Sequence, residues 1–140
     1  MTQSYATHRR LDPGYHYWGF GLLVVCIVLA AYGAIRGHAG AFTQLVLLAF
    51  LGILFLKTRI YALRVQDRVI RLEETLRMKA LLPEAMQAQI ARLKPGQFVA
   101  LRFASDAELE TRVKEALAEE LGGEAIKKRI QEWRPDEFRV

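Results

Sequence analysis

The sequence holds a single cysteine, Cys26, among 140 residues. That excludes a disulfide-stapled scaffold. It also has no P-loop, no nucleophile-elbow serine, no His-Glu-x-x-His and no Cys-x-x-Cys. None of the short motifs that announce a reaction is therefore present. Charge is missing from two long stretches: residues 13–35 and 37–56 contain no Asp, Glu, Lys or Arg. Their only ionisable groups are Cys26 and the edge histidines His16 and His38. A transporter or proton channel needs polar groups at mid-depth, so their absence argues against transport by the monomer.

What is present divides into two unlike halves. Apolar residues make up 52% of the chain, with most of the excess before Leu56. Such a distribution does not fit one conventional globular core. A helix rises about 1.5 Å per residue, so roughly 20 residues cross a hydrocarbon layer of about 30 Å. The first run is long enough. It exceeds a signal-peptide core of about 7–15 residues, and a second run follows at once, so it reads as a retained helix. From Ala41 to Leu56, eleven residues are Leu, Val, Ile or Phe. At about 0.3–0.6 kcal/mol each, they favour insertion by about 3–7 kcal/mol. Lys57 can extend this slightly short run by snorkelling.

Arg36-Gly37-His38-Ala39-Gly40 alone separates the dense parts of the runs. The expectation is a tight turn between antiparallel, touching helices. Tyr15, Tyr17 and Trp18 sit where an interfacial aromatic belt belongs, and Tyr32 marks the opposite boundary. Ala30, Ala31, Gly33 and Ala34 favour close helix approach, and Gly33 with Gly37 has G-x-x-x-G spacing at the membrane edge. Arg9, Arg10, Lys57, Arg59, Arg64, Arg68 and Arg71 flank the pair on one side, against Arg36 on the other. The expected location is a bacterial inner membrane with both termini cytoplasmic. Residues 1–80 carry a net +6 and residues 81–140 a net −1. The basic stretch Lys57, Arg59, Arg64, Arg68 and Arg71 is thus a candidate site for anionic lipid headgroups. A nearly neutral distal half lacks the footprint of a nucleic-acid binder.

Between Lys57 and Lys79 there is neither proline nor glycine. Residues 51, 55, 58, 62, 65, 69, 72 and 76 form one line at alternating spacings of three and four. That is the period of a coiled-coil seam, on one helix running from the membrane to about residue 80. Val65, Val69, Leu72 and Leu76 are its partner-contact candidates. The distal domain folding back, another protein, or a second copy of the chain can each cover them. Asp67 can pair with Arg64 or Arg71, and Glu73 with Arg77.

Beyond Leu82-Pro83, Met86, Ile90 and Leu93 predict a short helix over 83–94, ended by Pro95-Gly96. Residues 97–104 alternate in part and read as a strand, an extended linker or a helical turn. Ser105 with Glu108 is a capping-box signal for a helix carrying Leu109, Val113, Leu117 and Leu121, ended by Gly122-Gly123. Ile126, Ile130 and Trp133 mark a last short helix, stopped at Arg134-Pro135. Phe138 and Val140 at the tail are candidates for docking. A domain of about 60 residues buries little alone, so it should lean on the long helix or a partner. The fold class is an all-α membrane protein: residues 1–12 cytoplasmic, 13–58 a two-helix transmembrane hairpin turning at 36–40, 59–80 the cytoplasmic extension of the second helix, and 81–140 a small helical cytoplasmic domain.

Several segments carry a resemblance. Arg64-Val65-Gln66-Asp67-Arg68-Val69-Ile70-Arg71-Leu72-Glu73-Glu74 and Ala100-Leu101-Arg102-Phe103-Ala104-Ser105-Asp106 look like two signatures of one family. His8-Arg9-Arg10 with Tyr15-His16, and Ile126-Lys127 through Trp133-Arg134-Pro135-Asp136, look like its ends. The chain resembles, over nearly its whole length, an uncharacterised family of small bacterial inner-membrane proteins. That resemblance implies the topology and assigns no activity.

No metal or cofactor site is expected. Asp67, Glu73 and Glu74 lack an accompanying histidine and read as a solvated, ion-paired helix face. His16 near the interface is a conceivable haem ligand, weighed against a place in the aromatic belt. Cys26 reads as packing or a helix contact. The expected function is non-catalytic: a membrane-anchored interaction protein, an accessory subunit whose partners are membrane lipids and another membrane protein or its own copies; the alternatives are an anionic-lipid-surface adaptor, a self-assembling scaffold and, behind these, a redox accessory subunit.

Overall fold

A computed structural model describes residues 4–5 and 12–136. His8, Arg9, Arg10 and the tail residues Phe138 and Val140, on which expectations were placed, lie outside the described residues. The rest is helical, with no strand among the described residues. The helices are α1 (Phe20–Ile35), α2 (Ala41–Leu81), α3 (Glu84–Gln87), α4 (Pro95–Leu101), α5 (Asp106–Ala118) and α6 (Gly123–Arg129). The chain divides into two compact units at Leu63–Arg64, inside α2.

The first unit begins with a wide π-helical turn, Gly14–Gly19, leading into α1. Asp12 starts it: its Oδ1 accepts from Gly14 N at 2.8 Å and Tyr15 N at 3.2 Å, covering donors that no helix carbonyl can reach. The Tyr15 ring then stacks on Phe55 at 4.0 Å, and its hydroxyl donates to the Phe55 carbonyl at 3.1 Å. Glycine is needed beside this contact, because a Cβ on Gly19 would lie 2.9 Å from Phe55 Cε2. Further along, Gly52 lies against Leu23, and Gly33 against Ala41.

The turn between α1 and α2 is closed by backbone alone. His38 N donates to Gly33 O at 2.9 Å, and Gly37 N to Ala34 O at 3.0 Å, with Gly37 at φ +71°. This is a Schellman closure, whose left-handed position favours glycine. Gly37 therefore caps α1 and is not half of a G-x-x-x-G contact. Of the small residues, Ala30, Gly33 and Ala41 are buried, whereas Ala34 faces outward. Cys26 is exposed on α1, so it is not packed within this chain. Two helical stretches, Gly14–Ile35 and Ala41–Leu81, are long and apolar enough to cross a membrane.

The second unit is built around α4. Phe98, Ala100 and Leu101 are buried there, with Met78 and Leu82 from the end of α2, Met86, Ile90, Leu93, Leu109, Val113 and Ile126. The small domain thus takes part of its core from the long helix. The strand and extended-linker readings of 97–104 are corrected: most of that stretch is α4. Its helical start is set by Pro95 in the first turn and by Gln97, whose Oε1 accepts from Lys94 N at 2.7 Å. Pro95-Gly96 therefore opens a helix instead of ending one. Gln97 is buried, and its Nε2 donates to Ala116 O at 3.1 Å and Leu121 O at 2.9 Å, satisfying the end of α5. Where α6 meets α4, a Cβ on Gly123 would lie 2.9 Å from the Gly96 carbonyl oxygen.

Three further boundaries differ from expectation. The 83–94 helix is two short pieces, α3 and a 3-10 turn at Ile90–Arg92, broken between them at Ala88 and Gln89. The last helix ends at Arg129, so Trp133 lies outside it. Instead, Trp133 pairs antiparallel with Ala104 through Ser105 N to Glu132 O, 3.0 Å, and Arg134 N to Phe103 O, 2.8 Å. That pairing also alters the capping box. Ser105 Oγ accepts from Glu108 N at 3.4 Å as expected. The Glu108 carboxylate does not reach back, since Glu132 O already holds the Ser105 N–H; it accepts from Gln131 N and Glu132 N at 3.2 and 3.1 Å.

Candidate functional site

Part of α2, Arg64 to Leu81, belongs to the second unit and presents two opposite faces. Residues 70, 74, 78 and 82 recur at intervals of four, and Ile70, Glu74, Met78 and Leu82 are all buried. Val65, Val69, Leu72 and Leu76 stand 62%, 47%, 61% and 60% exposed. The domain does fold back on the long helix, but not on the predicted seam, so that reading of the seam is corrected. The physical reason is Glu74: a carboxylate in the middle of the buried line conceals it from a count of apolar residues.

Glu74 was read as part of a solvated face, and it is only 5% exposed. Its carboxylate accepts from Arg77 Nη1 at 3.0 Å and lies 3.4 Å from Arg134 Nη1. Arg77 also donates through Nε to Asp106 Oδ1 at 2.8 Å, and through Nη2 to the Ala104 carbonyl at 2.8 Å. A buried carboxylate needs such partners, because an unpaired buried charge costs several kcal/mol. The cluster ties α2 to the start of α5 and to the segment after α6. The expected Glu73–Arg77 pair is replaced by it, and Asp67 makes no ion pair with Arg64 or Arg71 among the described residues. The polar groups of the cluster are turned on one another, as in a structural clamp. No group of three His, Cys, Asp or Glu able to hold a metal occurs among the described residues.

Sequence reasoning missed Glu74, Arg77, Asp106 and Arg134 as a set. The available signals were Glu74 one turn before Arg77, and Arg134 beside the tryptophan that ends the domain. Among the predicted headgroup residues, Lys57, Arg64, Arg68 and Arg71 are exposed, while Arg59 is half-buried. Arg59 lies over the Tyr15 ring at 5.6 Å, and Arg71 over Phe98 at 5.7 Å. Tyr17, Trp18 and Tyr32 are exposed on the first apolar helix. His16 Nδ1 lies 3.1 Å from Asp12 N and 2.9 Å from Asp12 O, and is thus held by local backbone.

The surface of this unit that calls for explanation is therefore the seam. A comparison with curated proteins finds no match. Nor does any solved structure match the chain. The profile of one family covers residues 1–140, and the signatures around Arg64–Glu74 and Ala100–Asp106 lie within that match: the chain belongs to the family of unknown function DUF6526.

Proposed function

We propose that this chain is a non-catalytic interaction protein of a bacterial inner membrane, an accessory subunit that a two-helix hairpin anchors with both termini in the cytoplasm. The observation that carries the reading is the bare seam Val65, Val69, Leu72 and Leu76, on a helix whose opposite face the domain already occupies. Four exposed apolar side chains in a row mark a contact surface more often than a solvated one. The anchor is supported by the most apolar 18 residues of each stretch, of which the protein itself buries 6% and 0%. Core helices of a soluble protein would be covered. Lipid is the cover that such surfaces require. The contacts of Tyr15 with Phe55, Leu23 with Gly52 and Gly33 with Ala41 fit antiparallel helices.

A second reading is favoured by the exposed bases Lys57, Arg64, Arg68 and Arg71, which with Arg59 would hold anionic headgroups in a lipid-surface adaptor. The two are separated by purification in mild detergent at native expression, with mass spectrometry and an optical spectrum of the eluate. The accessory-subunit reading expects a stoichiometric second membrane protein, kept when Lys57 and Arg64 are neutralised. A chain that emerges without any second protein overturns it. Soret absorbance that vanishes on changing His16 would instead reveal a redox subunit.

A further inference from the structure

We propose that the seam is occupied by a second copy of this chain, in a parallel, in-register two-stranded coil. The inference rests on the reading of the seam as a protein contact and names its occupant. In heptad terms Val65 and Leu72 are d positions, and Val69 and Leu76 are a positions. Val69 at a with Leu72 at d is the order that favours two strands, whereas Val65 at d and Leu76 at a reverse it, so the pairing rests on charge. The flanking g and e positions are then Arg68 and Glu73. In a parallel coil, g of one strand faces e of the other five residues later. Arg68 of each copy therefore meets Glu73 of the other, giving two symmetric ion pairs. An antiparallel arrangement sets g against g and e against e, and loses both.

Three observations fit this occupant. Arg68 and Glu73 are exposed, and neither has an ion pair or side-chain hydrogen bond among the described residues, whereas their neighbours Glu74 and Arg77 are fully engaged. The buried residues Ile70, Glu74 and Met78 fall at b, f and c, the outer positions of a coil, so the domain packs where it does not block a partner strand. Copies anchored in one membrane also emerge in the same direction. Two heptads are short for a free coil, but confinement to a membrane supplies a high effective concentration.

The test uses the full chain in its membrane, with Cys26 replaced by serine and a single cysteine placed on α2. In isolated membranes treated with copper–phenanthroline as oxidant, Val65→Cys, at a d position, should form a disulfide dimer, and Asp67→Cys, at the outer f position, should not. Arg68→Glu or Glu73→Arg turns two attractive pairs repulsive and should lower the cross-linked fraction at Val65→Cys, by up to about tenfold in the dimer constant. Co-expressing the two variants restores both pairs, so a mixed dimer should return to the original level. Because both side chains are solvent-facing, the domain core is untouched. Equal cross-linking at 65 and 67, or no rescue by mixing, overturns the proposal. A lipid surface gives opposite effects for the two charge changes and no rescue. A second membrane protein recovered without Val65→Cys cross-linking sinks the dimer and leaves the accessory-subunit reading standing; cross-linking without a second protein does the reverse.

Discussion

Glu120 holds a backbone conformation that suits glycine better. Its φ is +50°, and Leu121 N reaches back to Ala116 O at 3.1 Å to close α5. A side chain in this left-handed position costs about 1 kcal/mol. Glu120→Gly should therefore raise stability by a little under about 1 kcal/mol, read as a higher urea midpoint with unchanged slope. At Glu74 the direction reverses. Glu74→Ala removes the acceptor of Arg77 Nη1 and the partner of Arg134, leaving Arg77 its bonds to Asp106 and Ala104, and should destabilise the second unit by about 1–3 kcal/mol. A midpoint unchanged from the parent would show that the cluster is not a clamp. A third case concerns pH. The Arg129 hydrogen bond to Glu119 holds that carboxyl below its ordinary value, and Arg129 is itself raised. Glu119 is deprotonated more readily folded than unfolded, so its contribution is present above the unfolded carboxylate range of about 4.3 and is lost as pH falls through the lower folded value. Arg129→Gln should lower stability at neutral pH, where this contribution is present, and flatten its fall on the acid limb, so that the variant and parent curves converge at low pH.

The elements differ in how far they can be read from residues alone. The two apolar helices are legible because uncharged length is a one-dimensional property. The start of α5 is legible because Ser105 with Glu108 is a local signal, although the far half of the cap went to Gln131 and Glu132. The segment that became α4 is not legible by alternation. It has no charged face to set a period, and Phe98, Ala100 and Leu101 are covered together with Gln97. What fixes it is Gln97, which satisfies Lys94 N on one side and the carbonyls of Ala116 in α5 and of Leu121 just beyond it on the other. Gln97→Leu should thus cost about 1–3 kcal/mol by orphaning buried backbone groups, though leucine is the more apolar residue. A stability change near zero would place the cause of α4 elsewhere. The candidate site was half legible: the seam residues were named, but the face that the domain takes was hidden by Glu74.

At the scale of the whole molecule, the proposed function assigns the two apolar stretches to a membrane anchor and the exposed seam to a partner contact. Membership of the family of unknown function DUF6526 covers all these parts and assigns none of them an activity. Under the proposed function, α2 leaves the membrane on the cytoplasmic side. Sidedness is therefore the central claim. Its most direct measurement is labelling of single cysteines in a Cys26→Ser background with a membrane-impermeant maleimide, at Ala39→Cys in the turn and Asp67→Cys on α2. Ala39→Cys is expected to react in intact spheroplasts, and Asp67→Cys only after lysis. Labelling of Asp67→Cys in intact spheroplasts, or recovery of the protein in the soluble fraction, would contradict it.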